Sequence, residues 1–224
     1  TTEPPELNQT ATDPAGWSTE MPTPGALEYV WCTMAKKSGI VDKTQVHIPI
    51  TFEEVWDGAT KLCDASGNGY DATLGNNASI VEELDKNDWW RSALKLTGNG
   101  EARIPYDLPF GESFTLCFWI KTDQRQIKWM FNGYNGRDYE ENSIDVTANT
   151  WLHLAFRFND RTVSVFKDGV LLHTANLSEH PVGFSLYDDN MFGSTVFFDD
   201  IRILNGALPL SDITKVMNGD ADTL

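Results

Sequence analysis

Apolar and polar residues alternate most regularly in residues 151–174. Every second position is apolar over 152–158 and again over 163–165, and this period of two predicts strands with one buried face. Turns are predicted at Asn159-Asp160 and at Asp168-Gly169, because a two-residue hairpin needs positive φ and Asp-Gly supplies it. The stretch therefore predicts a three-stranded antiparallel meander, which needs a second sheet to cover it.

Shorter runs of the same kind predict further strands. They fall at 47–54, at two places within 93–104 around Gly98-Asn99-Gly100, and at 114–121, 128–131, 143–146 and 194–204. In the last run, strict alternation puts Ile201 on the face of Phe197 and opposite to Phe198. A helix is predicted over 208–219, with Ser211 as N-cap and Gly219 just past its end. Together these elements predict an all-β sandwich of two antiparallel sheets with one short C-terminal helix.

Residues 1–46 have a different composition, because five prolines are spread among threonine, serine and glycine. This composition predicts an extended connector or a partial β module, in which residues 27–34 form the one credible strand. The predicted sandwich then occupies residues 47–224.

The balance of charge limits the possible partners. The chain has 33 Asp and Glu against 17 Lys and Arg, a net charge of −16. Such a field repels phosphate backbones and anionic lipid and attracts cations, so we expect neither nucleic acid nor a membrane surface as partner. No apolar run approaches the length of a membrane span, and residues 1–5 do not resemble a signal peptide.

The cysteines give no pattern of their own. Cys32, Cys63 and Cys117 are an odd number without a CxxC pair, so the sequence indicates neither a zinc site nor a disulfide framework. We interpret all three as packed residues, and the redox compartment stays open.

Residues 64–71, DASGNGYD, form a loop that suits a hard cation. Closely spaced glycines beside Asp, Ser and Asn allow positive φ, so carbonyls and carboxylates can turn inward together. The loop lacks the spacing of an EF-hand, and an ordinary polar loop explains it equally well.

Six motifs follow one another between about residues 47 and 219: DASGNGYDATL, ALKLTGNGEARIP, FTLCFWIKT, TWLHLAFRF, VSVFKDGVLL and FDDIRILNGALPLSDI. In this order and spacing they resemble the LamG-like jelly-roll family of the concanavalin A-like lectin/glucanase superfamily. The resemblance implies two sheets packed face to face, with ligands bound at a concave face or on rim loops. Earlier in the chain, DPAGWSTEMPTPGALEYVWCTMAKKSG resembles a Trp- and Pro-rich repeat of phage and prophage tail proteins.

The LamG-like resemblance also implies a structural calcium between the 64–69 loop and the acidic pair Asp199-Asp200. Adjacent strand residues point to opposite faces, so only one of the pair can face the ion. The predicted ligands are Asp64, Asn68 and Asp199. In the alternative interpretation, Asp64 is an Asx-turn residue and the acidic pair is a solvated strand end.

No catalytic residues are predicted. Glucanases of this superfamily carry Glu-x-Asp-x-x-Glu on a strand that lines the cleft. The nearest match, residues 83–88, lacks the final glutamate and is hydrophilic throughout, so we interpret it as a solvated loop. The same applies to residues 138–141. The four histidines are dispersed, and neither HExxH nor Gly-x-Ser-x-Gly occurs.

Aromatic residues beside predicted loops favour sugar binding, because flat rings stack on the apolar faces of sugars, although such rings also plug the ends of sandwiches. The candidate carbohydrate-binding residues are Trp89, Trp90, Trp129, Tyr134, Tyr139 and Tyr187. We therefore predict a non-catalytic glycan-binding or adhesion module of a larger cell-surface or phage-tail protein, acting outside the cell on a glycan or host-surface ligand. One alternative is a spacer or homo-oligomerisation module of a tail fibre, and another is a glycoside hydrolase or lyase.

Overall fold

The computed structural model describes residues 60–66, 68–85, 90–104, 113–129, 132–133, 142–177, 181–183, 185–187 and 194–219, together with 45–48. Residues 45–48, 90, 128–129, 132–133, 142, 181–183 and 185–187 are described by their backbone alone. In chain order the strands are β1 Gln45–Ile48, β2 Lys61–Leu62, β3 Ala72–Leu74, β4 Ala78–Leu84, β5 Trp90–Thr97, β6 Glu101–Arg103, β7 Ser113–Thr122, β8 Gln126–Trp129, β9 Asn132–Gly133, β10 Asn142–Asp145, β11 Leu152–Asn159, β12 Thr162–Lys167, β13 Val170–Asn176, β14 Pro181–Gly183, β15 Ser185–Tyr187 and β16 Thr195–Asn205. The helix α1 is Leu210–Asn218.

The strands form a jelly-roll sandwich in which the described pairings are antiparallel. The larger sheet has the order β13-β12-β11-β7-β16-β5-β4, and β1 also pairs with β16. A smaller sheet has the order β15-β6-β3-β2, and two short ladders join β10 to β8 and β14 to β9. The predicted fold class, a two-sheet all-β sandwich with a short C-terminal helix, is confirmed.

The core lies between the two sheets. Alternate residues of β7, β11 and β12 enter it, and the smaller sheet contributes Leu62, Ala72 and Ala102. Phe158 is fully buried and stacks on Phe114 with ring centroids 4.4 Å apart. Both layers therefore depend on one shared apolar interior, as the alternation in the sequence predicts.

The helix α1 packs on the opposite face of the larger sheet. Its buried residues Ile213 and Val216 join a second apolar cluster, whose other members are Cys117, Ala155, Phe166 and Leu204. The N-cap is Pro209 and makes no side-chain hydrogen bond, so the prediction of Ser211 as N-cap is wrong. Proline fixes its own φ and can begin the helix without a capping side chain. Gly219 ends the helix at φ 83°, as predicted.

The central meander is confirmed as β11, β12 and β13. Asp168 and Gly169 have φ of 49° and 75°, which matches the two-residue hairpin that Asp-Gly predicts. Asp168 also fixes the turn, because its carboxylate accepts from the His153 N–H at 2.9 Å and its own N–H donates to the His153 carbonyl at 2.9 Å. The first turn falls at residues 160–161, one residue later than predicted, with Asp160 at φ 55°.

The turn at residues 98–100 carries the chain between layers. It joins β5 of the larger sheet to β6 of the smaller sheet, so the two predicted strands exist but do not pair with each other. Gly100 permits the crossing, because a Cβ there would lie 2.6 Å from the Asn77 carbonyl oxygen.

A β-bulge interrupts β16. The register with β7 shifts between Asp199 and Arg202, and Asp200 has φ 46°. The extra residue reverses the alternation, so Phe198 and Ile201 both enter the core and the prediction that Ile201 shares the face of Phe197 is wrong. The bulge also marks a change of the strand paired with β16. Strand β5 pairs with β16 up to Phe198, and β1 pairs with it from Ile201 onward.

The structure differs from three further predictions, which concern the start of the first strand, the end of β4 and the state of Cys63. The first strand begins at Gln45 rather than His47, so the predicted domain boundary falls within β1 and stays a prediction. Glu83 and Leu84 end strand β4, so the interpretation of residues 83–88 as a solvated loop is wrong at its start. Cys63 is disulfide-bonded, against our expectation, whereas Cys117 is free and buried. Residues 1–44, 49–59 and 138–141 lie outside the described part of the chain.

Candidate functional site

The outer face of the larger sheet, turned away from the core, carries aromatic and charged side chains. Strand register aligns Lys121 of β7, Phe197 of β16 and Lys95 of β5 in one row. The Lys121 Nζ lies 4.9 Å from the ring centroid of Phe197 and 5.2 Å from that of Trp151, and the Lys95 Nζ lies 6.0 Å from Phe197. These are cation–π distances. We call Lys95, Lys121, Trp151 and Phe197 the outer-face cluster.

The end of strand β4 bends over this cluster. Lys121 Nζ pairs with Glu83 Oε1 at 2.9 Å, and the Trp151 indole N–H donates to the Leu84 carbonyl. In the sheet order β4 and β7 are separated by β16 and β5. At about 4.8 Å per strand, a flat sheet would hold β4 and β7 about 14 Å apart. The contacts therefore require the β4–β5 hairpin to curl across the outer face, which makes that face concave around the cluster.

The two lysines of the cluster differ in charge pairing. Lys121 is only 9% exposed, and Glu83 neutralises it. Lys95 is half-buried and makes no ion pair with any described residue. Arg91 of β5 pairs with Asp85 at 3.3 Å, so both carboxylates of the weak Glu-x-Asp match are held by cations. Lys95 is therefore a cation of this face that no described carboxylate neutralises.

The bulge of β16 forms the neighbouring part of the outer face. Arg202 is 7% exposed, and its Nε donates to Asp200 Oδ1 at 3.1 Å. Burial raises the pKa of the Cys117 thiol, Asp200 raises it further, and Arg202 partly offsets both effects. The thiol therefore stays protonated, and Cys117 is a packed residue, as the sequence indicates. Beside it, His153 meets the Trp119 ring edge to face at 5.4 Å.

The loop between β2 and β3 is organised around the buried carboxylate of Asp64. Its Oδ1 accepts from the Ser66 N–H at 3.0 Å and the Ser66 hydroxyl at 2.6 Å, and its Oδ2 accepts from the Tyr70 N–H at 3.1 Å. Asn68 takes part in the same hydrogen-bond network, because its side-chain amide donates to Ser66 Oγ at 2.9 Å. Asp64 thus acts as the internal acceptor that closes this loop.

The predicted calcium ligands are carried by two different sheets of the sandwich. Asp64 and Asn68 lie together in the loop of the smaller sheet, whereas Asp199 is on the outer face of the larger sheet, paired in register with Trp119. Asp199 Oδ1 accepts from the Asp200 N–H at 2.8 Å and so supports the bulge. In the described ranges, no group of three or more His, Cys, Asp or Glu residues is arranged to hold a metal. Calcium stays a prediction.

The predicted sugar-binding side chains are not tested. Trp90 begins β5, Trp129 ends β8 and Tyr187 ends β15, all three described by backbone alone. Trp89, Tyr134 and Tyr139 lie outside the described residues. Our sequence reasoning missed the outer-face cluster, although the alternation in β7 and β16 already puts Lys121 and Phe197 on non-core faces.

The fold is similar to that of several solved structures. No protein-family model matches the chain, and none of the curated proteins matches it. Among solved structures, the binding domain of Paraclostridial Mosquitocidal Protein 1 is similar, with a TM-score of 0.59 and 14% identity over 80% of this chain and 53% of that chain. The botulinum neurotoxin serotype D binding domain gives a TM-score of 0.59 and 15% identity over 79% of this chain and 52% of that chain.

A third structure is the botulinum neurotoxin serotype D ligand-binding domain in complex with N-acetylneuraminic acid. It has a TM-score of 0.58 and 16% identity over 81% of this chain and 52% of that chain. The chain thus spans about half the length of the solved domains that it matches. Within the described residues, no helix has the length and apolar character of a membrane span. At these identities the likeness establishes a common β-sandwich fold.

Proposed function

We propose that this chain is a non-catalytic carbohydrate-binding module of a larger extracellular protein, and that it binds an acidic glycan on the concave outer face. As the sequence motifs suggest, it would be a LamG-like member of the concanavalin A-like superfamily, displayed on a cell surface or a virion tail. The observation that carries the proposal is Lys95, a cation without a described ion pair beside the Phe197 ring.

The chemistry of the outer-face cluster suits an acidic sugar. An aromatic ring can stack on the apolar face of a sugar, while an ammonium group beside it pairs with a carboxylate. The cluster places two ammonium groups on one ring in a chain whose net charge is −16. Cations on an otherwise acidic surface would give specificity for an anionic ligand, because the rest of the surface repels it.

Two other observations support a binding role outside the cell. The similar solved structures are binding domains, and one of them is a complex with N-acetylneuraminic acid. The disulfide of Cys63 favours an oxidising compartment, because thiols are kept reduced in most cytosols. The ion pairs of Glu83 and Asp85 give no support to a glycosidase mechanism, which needs one carboxyl group as an acid.

On a glycan array, the wild-type chain is expected to bind sugars that end in N-acetylneuraminic acid, with affinity that falls as salt is raised. Replacing Lys95 with glutamine removes the available cation and is expected to weaken that binding about tenfold. Titration of wild type and K95Q with a sialylated oligosaccharide measures the difference.

The matched control is Lys61→Gln, which removes an exposed lysine from β2 of the smaller sheet. We expect unchanged affinity for K61Q and a loss for Phe197→Ala similar to that for K95Q. Equal binding by wild type, K95Q and K61Q would contradict the assignment to the outer face, and the absence of any acidic glycan among the array hits would contradict the proposed ligand class.

A second candidate function, homo-oligomerisation, is favoured by one surface patch. The edge strand β13 exposes Val170, Leu171 and Leu172 by 63%, 51% and 48%, and Leu210 of α1 is 44% exposed. The turn before β13 lies beside the same helix, because a Cβ at Gly169 would lie 3.8 Å from Met217 Cε. Exposed apolar edges favour pairing with another strand. Strand β13 carries no Asp, Glu, Lys or Arg, so a second copy could pair there despite the net charge of −16.

If this edge joins two copies, Leu171→Lys is expected to convert a dimer into a monomer, because it places two ammonium groups in the interface. Light scattering after gel filtration at several concentrations measures the mass. Thr73→Lys, on an exposed position of β3, serves as the control and should leave the mass unchanged. A wild type that is monomeric at all concentrations would exclude this second function and leave the glycan proposal untouched.

A further inference from the structure

The disulfide of Cys63 has a consequence for the edge of the smaller sheet. Cys63 is disulfide-bonded, and Cys117 is free and fully buried between the larger sheet and α1. The chain contains three cysteines. The remaining partner within the chain is therefore Cys32.

The position of Cys63 fixes where such a bond would hold the N-terminal segment. Cys63 directly follows β2, and β2 is the terminal strand of the smaller sheet in the described part of the chain. Its one described neighbour is β3, through the pairs Lys61 with Thr73 and Leu62 with Ala72. Within the described ranges, no strand pairs with the other edge of β2, so a further strand could pair there.

Cys32 lies within residues 27–34, LEYVWCTM, where the sequence predicts a strand. The Cα atoms of a disulfide are usually about 4.4–6.8 Å apart. Directly opposed residues of antiparallel strands are about 4.5–5.5 Å apart, which is the same range. A disulfide between Cys32 and Cys63 is thus compatible with two neighbouring strands.

We infer that residues 27–34 dock along the edge of β2 that faces away from β3, as a further strand of the smaller sheet, and that a Cys32–Cys63 disulfide locks them there. The N-terminal segment is then part of the sandwich rather than a separate connector. Forming the bond takes two electrons and two protons from the two thiols, and a disulfide oxidant such as oxidised glutathione accepts them as it becomes two thiols. The inference does not depend on the proposed glycan ligand.

Peptide mapping of the oxidised chain without reduction tests the covalent part. We expect one linked pair of peptides, which contain Cys32 and Cys63, and a Cys117 peptide that is alkylated only after denaturation. A Cys63–Cys117 pair, or a free Cys63, would overturn the inference.

Amide hydrogen exchange on the full chain tests the docking. In the oxidised wild type, the amides of residues 61–63 should exchange at least tenfold more slowly than in Cys32→Ser, with those of β11 unchanged and Tm about 10 °C lower in the variant. Reduction of the wild type should give the same loss of protection, which keeps the test valid if C32S folds poorly. Cys117→Ser is the matched control and should keep the protection. Equal exchange at 61–63 in all forms would show a cross-link without an added strand and would reject the docking.

Discussion

Arg202→Ala is expected to lower the free energy of unfolding by about 2–4 kcal/mol, a little less than the loss of a fully buried ion pair would cost. The Arg202 side chain is 8% exposed and lies 3.1 Å from an Asp200 carboxylate that is 26% exposed. Removing the guanidinium takes this cation away from a partly buried carboxylate that lies close enough to Cys117 to raise the pKa of its thiol. Denaturant unfolding, with the m-value compared between variants, measures the change.

The cost of losing Arg202 should depend on the charge of Asp200, the bulge residue to which it is bonded. Asparagine tolerates the left-handed φ of 46° at this position but carries no charge. In the Asp200→Asn background, Arg202→Ala should therefore cost clearly less than in wild type. Arg161→Ala, at the exposed turn after β11, is the control and should change stability by less than about 0.5 kcal/mol. An equal cost of R202A in both backgrounds would show that Arg202 stabilises the bulge without Asp200.

Asp64→Ala is expected to destabilise the fold by about 2–4 kcal/mol, because it removes the acceptor of three hydrogen bonds inside a buried loop. The backbone N–H groups of Ser66 and Tyr70 would then lose their partner. Tm should fall by about 10 °C for a chain of this size. Asp145→Ala removes an exposed carboxylate, bonded at 2.8 Å to the Gln126 side chain, and should have little effect.

The same variant tests the predicted calcium. An ion bound through Asp64 would raise the Tm of the wild type in added calcium and lower it in chelator, and D64A would lose this response. Equal wild-type melting in calcium and in chelator would mean that the hydrogen bonds of the loop suffice without an ion. A stable D64A protein would contradict the role of Asp64 as the organising acceptor.

The sequence predicted those parts of the fold that depend on neighbouring residues alone, such as tight turns and the period of a strand. Asp168 and Gly169 specify a hairpin because few residues accept positive φ at both positions. The alternation in β11 predicted its core face, but the prediction of a single buried face is wrong, because the other face is buried as well. On that face Ala155 packs in the cluster of α1 and His153 meets the Trp119 ring. The apolar residues at 198, 201 and 203 depart from that period, and this spacing was the signal of the bulge that we did not use.

The candidate site depended on long-range geometry and was largely missed. Glu83 looked solvated because a charged, hydrophilic run is typical of loops, yet it lies on β4 and reaches Lys121 only through the curl of the hairpin. No local pattern encodes a contact between strands that stand three places apart in a sheet. The odd number of cysteines hid the disulfide of Cys63, because parity alone does not tell which thiol is left over.

The exchange of neighbours along β16 also constrains how the chain reaches its native state. Ile203 pairs with Leu116 on one side and with Val46 on the other, so the centre of the larger sheet joins residues from distant parts of the chain. The β11–β13 meander can form early from neighbouring residues, but the sheet cannot close before β16 has left the ribosome. Until then, β7 and β5 each lack the neighbour that β16 provides, and the net charge of −16 opposes association with other copies at these edges.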